Sequence, residues 1–190
     1  MSDSATYQRA LKRLMYELYQ AICEDRAYAT MWNCHTSHGN DLFRFAFFAL
    51  SNDTIAHAMK ILDVHRKSAS FWYIDKQKKQ EIREFCDSNS ISFAEIKWLS
   101  GKLQYVRNRT HFHIDPRDLF DPTAVWKQAR INNSRFTAVL ESLWKILDHF
   151  YTQEYGLSFG ELDYDGSEVG AILRAVRDAG IVPIQFADEN

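Results

Sequence analysis

At 190 residues the chain fits one domain and is long enough to bury a real core, and its formal net charge of −2 excludes a protein that coats nucleic acid through bulk charge. Hydrophobic residues make up 46 % and aromatics 14 %, with seven glycines and three prolines, so the chain is globular and turn-poor, a balance that favours helices. No run reaches the roughly 18 apolar residues of a membrane span, and Met1-Ser2-Asp3-Ser4 lacks the basic start and apolar run of a signal peptide. Cys23, Cys34 and Cys86 have no repeated spacing and read as reduced structural thiols, so the expectation is a soluble, cytoplasmic protein without a membrane partner.

The first helix is predicted from near Ser4 into the low thirties, with Tyr7, Leu11, Leu14, Leu18, Ile22 and Ala29 recurring at helical spacing. His38-Gly39-Asn40 breaks it. Asn40 or Asp41 caps a second helix, whose Phe43, Phe47, Leu50, Thr54, Ala58, Ile61 and Leu62 mark one face. A connector from His65 to about Asp75 carries Phe71-Trp72-Tyr73, read as a packing plug, and Lys76 to about Cys86 reads as a polar helix.

Ser90 or Ser92 opens the next long helix, with Ile96, Leu99, Leu103, Val106 and Thr110 turned inward, and Asp115-Pro116 ends it because proline disfavours the helical region for the residue before it. Asp121-Pro122 starts a short helix through about Ala129. A further long helix, capped near Asn133 or Ser134, is apolar at Phe136, Val139, Leu140, Leu143, Leu147 and Phe150. After Gly156 an irregular acidic segment leads to a last helix from about Ser167 to Ala179, stopped at Gly180. The expected fold is all-α: an up-and-down bundle of four long helices with short accessory helices over residues 1–155, and an acidic extension over 156–190 whose one short helix packs on the bundle.

Chemistry concentrates at the exit of the third long helix. Tyr105-Val106-Arg107-Asn108-Arg109-Thr110-His111-Phe112-His113-Ile114-Asp115 gathers two guanidiniums, a carboxamide and two imidazoles. Arginine offers a permanent charge and a planar donor fork for phosphate oxygens, and histidine is the side chain whose unperturbed pKa lies closest to neutrality. The combination points to phosphodiester chemistry without a metal. Lys76, Lys78, Lys79 and Arg83, and then Lys97, Lys102, Arg107, Arg109, Arg117, Lys127, Arg130 and Arg135, make this stretch basic, whereas the chain beyond Glu154 is mainly acidic. A polyanion is expected to approach the motif side, with Lys102 and Arg117 as RNA-binding candidates.

Arg107-Asn108, four intervening residues and His113 resemble the R-N-x-x-x-x-H signature of the HEPN superfamily, most closely its abortive-infection AbiU-like branch. The segments Phe47 to Asp63, Ser70-Phe71-Trp72 and Asn133 to Tyr151 fall where that branch places its bundle helices, so the resemblance reaches to about residue 155. It implies a helical, usually dimeric bundle, many of whose members are metal-independent ribonucleases acting as toxins or phage-defence effectors. Carried onto this chain, Arg107 and His113 are the core pair and Asn108 the polar neighbour. Phe112 departs from the pattern, which favours a small residue before the histidine. The implied partners are a second copy of the chain, RNA, and a cognate antitoxin such as a nucleotidyltransferase; no cofactor is implied.

Helix geometry adds a constraint of its own. At about 100° per residue, Arg107 and His113 project about 120° apart on an unbroken α-helix. Arg107 with His111, and Arg109 with His113, are the four-apart pairs that share a face, which makes His111 and Arg109 alternative or auxiliary site residues. Either the helix loosens before Pro116, or a partner chain completes the site.

Other groupings carry less. Cys34-His35-x-x-His38 has metal-capable types without a second ligand group, Asp163-Tyr164-Asp165-Gly166 reads as a capped acidic turn, and His57 and Asp148-His149 read as core or rim residues. A non-catalytic HEPN bundle that binds nucleotide, RNA or a protein is the alternative to the nuclease.

Overall fold

Helical periodicity carries through into the architecture: in a computed structural model, which describes residues 3–34, 41–111 and 122–180, eight α-helices and one π-helical turn account for the regular structure, with no strand among the described residues. The α-helices are α1 (Asp3–Asn33), α2 (Asp41–Ile61), α3 (Phe71–Gln77), α4 (Lys79–Ser88), α5 (Phe93–Val106), α6 (Pro122–Ala129), α7 (Asn133–Tyr155) and α8 (Ser167–Asp178). None of the described helices is long and apolar enough to cross a membrane. The expected helix break at His38-Gly39-Asn40 and helix end at Asp115-Pro116 lie outside the described residues.

Two compact units emerge from the contacts, one formed by Met1–Tyr19 with His57–Gly160, the other by Gln20–Ala56 with Glu161–Asn190. In the first, Leu11, Leu14, Met15 and Leu18 of α1 and Leu140, Leu143, Ile146, Leu147 and Phe150 of α7 are buried. The Tyr155 hydroxyl donates to the Gln8 carbonyl (2.9 Å), and the Tyr19 and Trp144 rings meet at 6.3 Å, so α1 and α7 run antiparallel here. Helix α5 packs against α6 and α7 through Ile96, Leu99, Leu103 and Val106, the stripe its spacing predicts, all buried. Burying each such side chain stabilises the fold by about 1.5–3 kcal/mol before the entropy of ordering is counted.

Some local expectations shift. Asn132, one residue before the expected cap, caps the start of α7 by accepting from the Arg135 amide, because an amide three residues on is the one a capping side chain reaches. Gly156 ends α7 in the left-handed region, at φ 73°. The supposed connector contains α3: Phe71 is fully buried, and the Trp72 indole donates to the Leu62 carbonyl at 3.0 Å, satisfying a group that α2 leaves open at its end.

The second unit has its own core of Met31, Cys34, Phe47 and Leu173, flanked by Tyr28, Phe43, Leu50, Val169 and Val176. Ala29, placed on the apolar stripe by periodicity, is exposed, and Ala27 and Met31 take the inward positions. Arg26 Nη1 donates to the carbonyls of Leu162 (3.0 Å) and Tyr164 (2.6 Å), pinning the acidic turn. Asp165 Oδ1 accepts from the Ser167 amide at 2.8 Å and Gly166 adopts φ 82°, so this is a turn leading into α8, as its composition predicts.

Candidate functional site

Helix α5 delivers the motif. Its apolar stripe ends at the fully buried Val106, and from Arg107 to His111 the backbone widens into a π-helical turn, whose hydrogen bonds span five residues instead of four. Thr110 Oγ1 bonds back to the Val106 carbonyl at 2.9 Å within this turn. A departure from α-helical geometry is thus present over Arg107–His111, before the undescribed His113 whose spacing from Arg107 asks for either a loosened helix or a partner chain. His113 and Arg117, together with Phe112, lie outside the described residues, as does the His111 side chain.

Arg107 is held from across the unit. Its Nη1 donates to Asp63 Oδ1 at 2.9 Å, and both side chains are largely buried, with 28 % and 21 % of their surface exposed. Asp63 also accepts from the His65 amide at 3.1 Å. Burial alone would raise the Asp63 pKa; the His65 amide, the Arg107 guanidinium and Ser68 outweigh it and hold the carboxyl below its ordinary value. Arg107 spends one of its five N–H donors on this carboxylate, which fixes the plane of the guanidinium while leaving others for an incoming oxyanion. A cavity of about 10 Å³ beside the pair has room for about one water.

The neighbouring positions divide. Asn108 is exposed, and its side chain makes no hydrogen bond among the described residues. Arg109 lies with its guanidinium carbon 4.0 Å from the centre of the Tyr105 ring, whose hydroxyl reaches Gln128 Oε1 at 2.5 Å, so Arg109 is drawn back along α5 and stacked against the protein. Lys102 is half-buried one turn earlier.

Part of the basic stretch is neutralised internally. Arg83 bonds Asp75 at 2.7 Å and covers the Phe93 ring at 3.3 Å, and Arg135 forms a two-pronged pair with Glu95 while covering Trp98 at 3.4 Å. These arginines are engaged by carboxylates and rings of the protein itself, which sequence counting of charge does not reveal. His57 is likewise structural: its Nδ1 lies 2.5 Å from Glu17 Oε2, and Lys60 reaches the same oxygen at 3.2 Å. His149 stacks on Phe85 at 4.4 Å, and Asp148 accepts from Ser158 and the Phe159 amide.

Sequence reading missed Asp63 and Glu17. Asp63 lies 44 positions from Arg107, and no local spacing signals their meeting. Among the described residues no three His, Cys, Asp or Glu side chains gather as metal ligands, and His35 and His38 lie outside them. No protein-family model matches this chain, and comparison with curated proteins and with solved structures found no match.

Proposed function

We propose that this chain is a metal-independent endoribonuclease of HEPN type, working as a homodimer in phage defence or as the toxin of a toxin–antitoxin pair. The observation that carries the reading is the π-helical turn at Arg107–His111: a motif rich in phosphate-binding and proton-transferring groups coincides with a local departure from α-helical geometry. Such departures are concentrated at functional sites.

In the reaction a base removes the proton of the ribose 2'-hydroxyl, the 2'-oxygen attacks phosphorus, and an acid protonates the departing 5'-oxygen. Two symmetry-related His113 imidazoles divide these roles across the dimer. Arg107, oriented by Asp63, stabilises the added charge on the pentavalent phosphate through its remaining donors. Asn108, exposed beside it, orients the phosphate. The products are a 2',3'-cyclic phosphate and a 5'-hydroxyl.

A second reading, a non-catalytic HEPN bundle that binds nucleotide, RNA or a protein, is favoured by the engagement of Arg107 with Asp63, which makes the guanidinium part of the scaffold. Incubating the protein with structured RNA in the presence of chelator, beside the Arg107→Ala/His113→Ala protein, separates the two. Cleavage by the native chain alone supports the nuclease; a dimer that binds RNA but never cuts it supports the second reading.

A further inference from the structure

Helix α2 begins with a run that is apolar on nearly every side: from Leu42 to Leu50 only Arg44 is polar. In a globular protein a helix of that composition is buried all round. Here only half of it is. Phe43, Ala46, Phe47 and Leu50 pack in the core of the second unit, whereas Leu42, Phe45, Phe48 and Ala49, which fall on the opposite side at about 100° per residue, are exposed. Trp32, near the end of α1, widens this face: its ring stacks on Phe47 at 5.8 Å, and the Phe48 ring meets Phe47 at 5.6 Å.

Leu42 is 71 % exposed, Phe45 65 %, Trp32 58 % and Phe48 54 %. At about 150–250 Å² per aromatic side chain, the three rings leave on the order of 350 Å² open before Leu42 is added. Contiguous apolar surface of that extent marks an interaction site.

Charge decides what covers it. Gln20–Ala56 and Glu161–Asn190, which make up this unit, hold eleven acids and four bases, a formal charge of −7, whereas the rest of the chain carries +5. Asp41 and Asp53 bracket the exposed face, and Arg44 is already paired with Asp41 at 2.9 Å. Nucleic acid and anionic lipid are repelled by such a unit, and two copies meeting through this same face would bring −7 against −7. A cationic partner is drawn to it. The partner's backbone is constrained as well: α2 offers side chains and no strand edge, so an extended segment would press unpaired amides and carbonyls against the rings, whereas a helix satisfies its own. From Asp41 to Asp53 the face runs about 18 Å, which about three turns of helix match.

We infer that Trp32, Leu42, Phe45 and Phe48 form the docking face for a short amphipathic helix of another protein, apolar on one side and rich in lysine or arginine at its margins. The rings receive the apolar anchors at helical spacing, and Asp41 and Asp53 hold the cations. None of these residues belongs to the Arg107–His113 motif, so the docking face stands or falls apart from the nuclease reading.

Fluorescence anisotropy of the full chain with a labelled leucine–lysine peptide, its leucines on one helical face, tests the inference beside a scrambled peptide of the same composition and a leucine–glutamate peptide of the same pattern. Saturable binding to the first is expected, with the other two weaker by at least about tenfold. Phe45→Ser/Phe48→Ser, at two exposed positions, should raise the Kd at least about tenfold with a nearly unchanged thermal midpoint, the effect of losing a central aromatic anchor. Asp53→Lys should raise it about threefold. Equal affinity for the scrambled peptide would reduce the contact to bulk charge, and equal affinity for the leucine–glutamate peptide would remove the charge complementarity; either overturns the assignment. An unchanged Kd in the double variant overturns it too, as does a chain that self-associates natively and turns monomeric in that variant, which would give the face to a second copy.

Discussion

Arg107 Nη1 and Asp63 Oδ1 meet at 2.9 Å, joining the first residue of the π-helical turn to the chain just beyond the end of α2. The pair orients the guanidinium and ties two elements that are distant in sequence.

Asp63→Asn should destabilise the protein by about 1–2 kcal/mol at pH 7, the range of a partly buried charge-assisted bond. Because the folded carboxyl lies below its ordinary value, its contribution is complete above the unfolded pKa of about 4 and is lost as pH falls through the folded value. Urea midpoints of native and variant chains should therefore converge in acid. Curves that stay parallel down to pH 2 would show that the charge of Asp63 contributes nothing.

His113→Ala should reduce RNA cleavage by about 10²–10⁴-fold, the usual worth of a proton-transfer group. Activity of the native chain should survive chelator and follow a bell-shaped pH profile, since one imidazole must be neutral and the other protonated. Unchanged cleavage by His113→Ala removes the assignment, and loss only in His111→Ala transfers the role to that residue.

Glu17 is 7 % exposed and receives Arg13, His57 and Lys60. Glu17→Ala should cost about 1–3 kcal/mol, lowering the thermal midpoint by several degrees, because it removes the buried carboxylate that Arg13, His57 and Lys60 share. Glu95→Ala, which breaks a pair with Arg135 at the surface, should leave the midpoint nearly unchanged. Equal losses in the two variants would mean that burial does not set the worth of these pairs.

Gly166→Ala should destabilise the second unit far more than Gly180→Ala. Both glycines have positive φ, but a Cβ at Gly166 would stand 2.8 Å from the Arg26 carbonyl oxygen and from Thr30 Oγ1, whereas at Gly180 nothing lies within 4 Å among the described residues. Gly180→Ala therefore carries only the left-handed backbone penalty of about 1–2 kcal/mol. Amide exchange around Arg26 and Thr30 should accelerate in Gly166→Ala, and unaltered protection there would refute the clash.

Sequence alone determined the helices and most of their inward faces. Leu99, Leu103 and Val106, or Leu140, Leu143 and Leu147, must share a side of any helix they form, because the 3.6-residue turn is a local property of the backbone. It also marked Arg107 and Asn108 as chemically unusual and raised a loosened helix as one solution to their spacing from His113. Tertiary structure decided what spacing cannot carry: that Asp63 claims one donor of Arg107, that Arg109 folds back on Tyr105, and that Arg83 and Arg135 are spent on Asp75 and Glu95. Each joins side chains from different elements or turns on the direction a long side chain takes. Such pairings depend on how helices pack, and packing is set by the whole buried surface, which no local run of residues specifies.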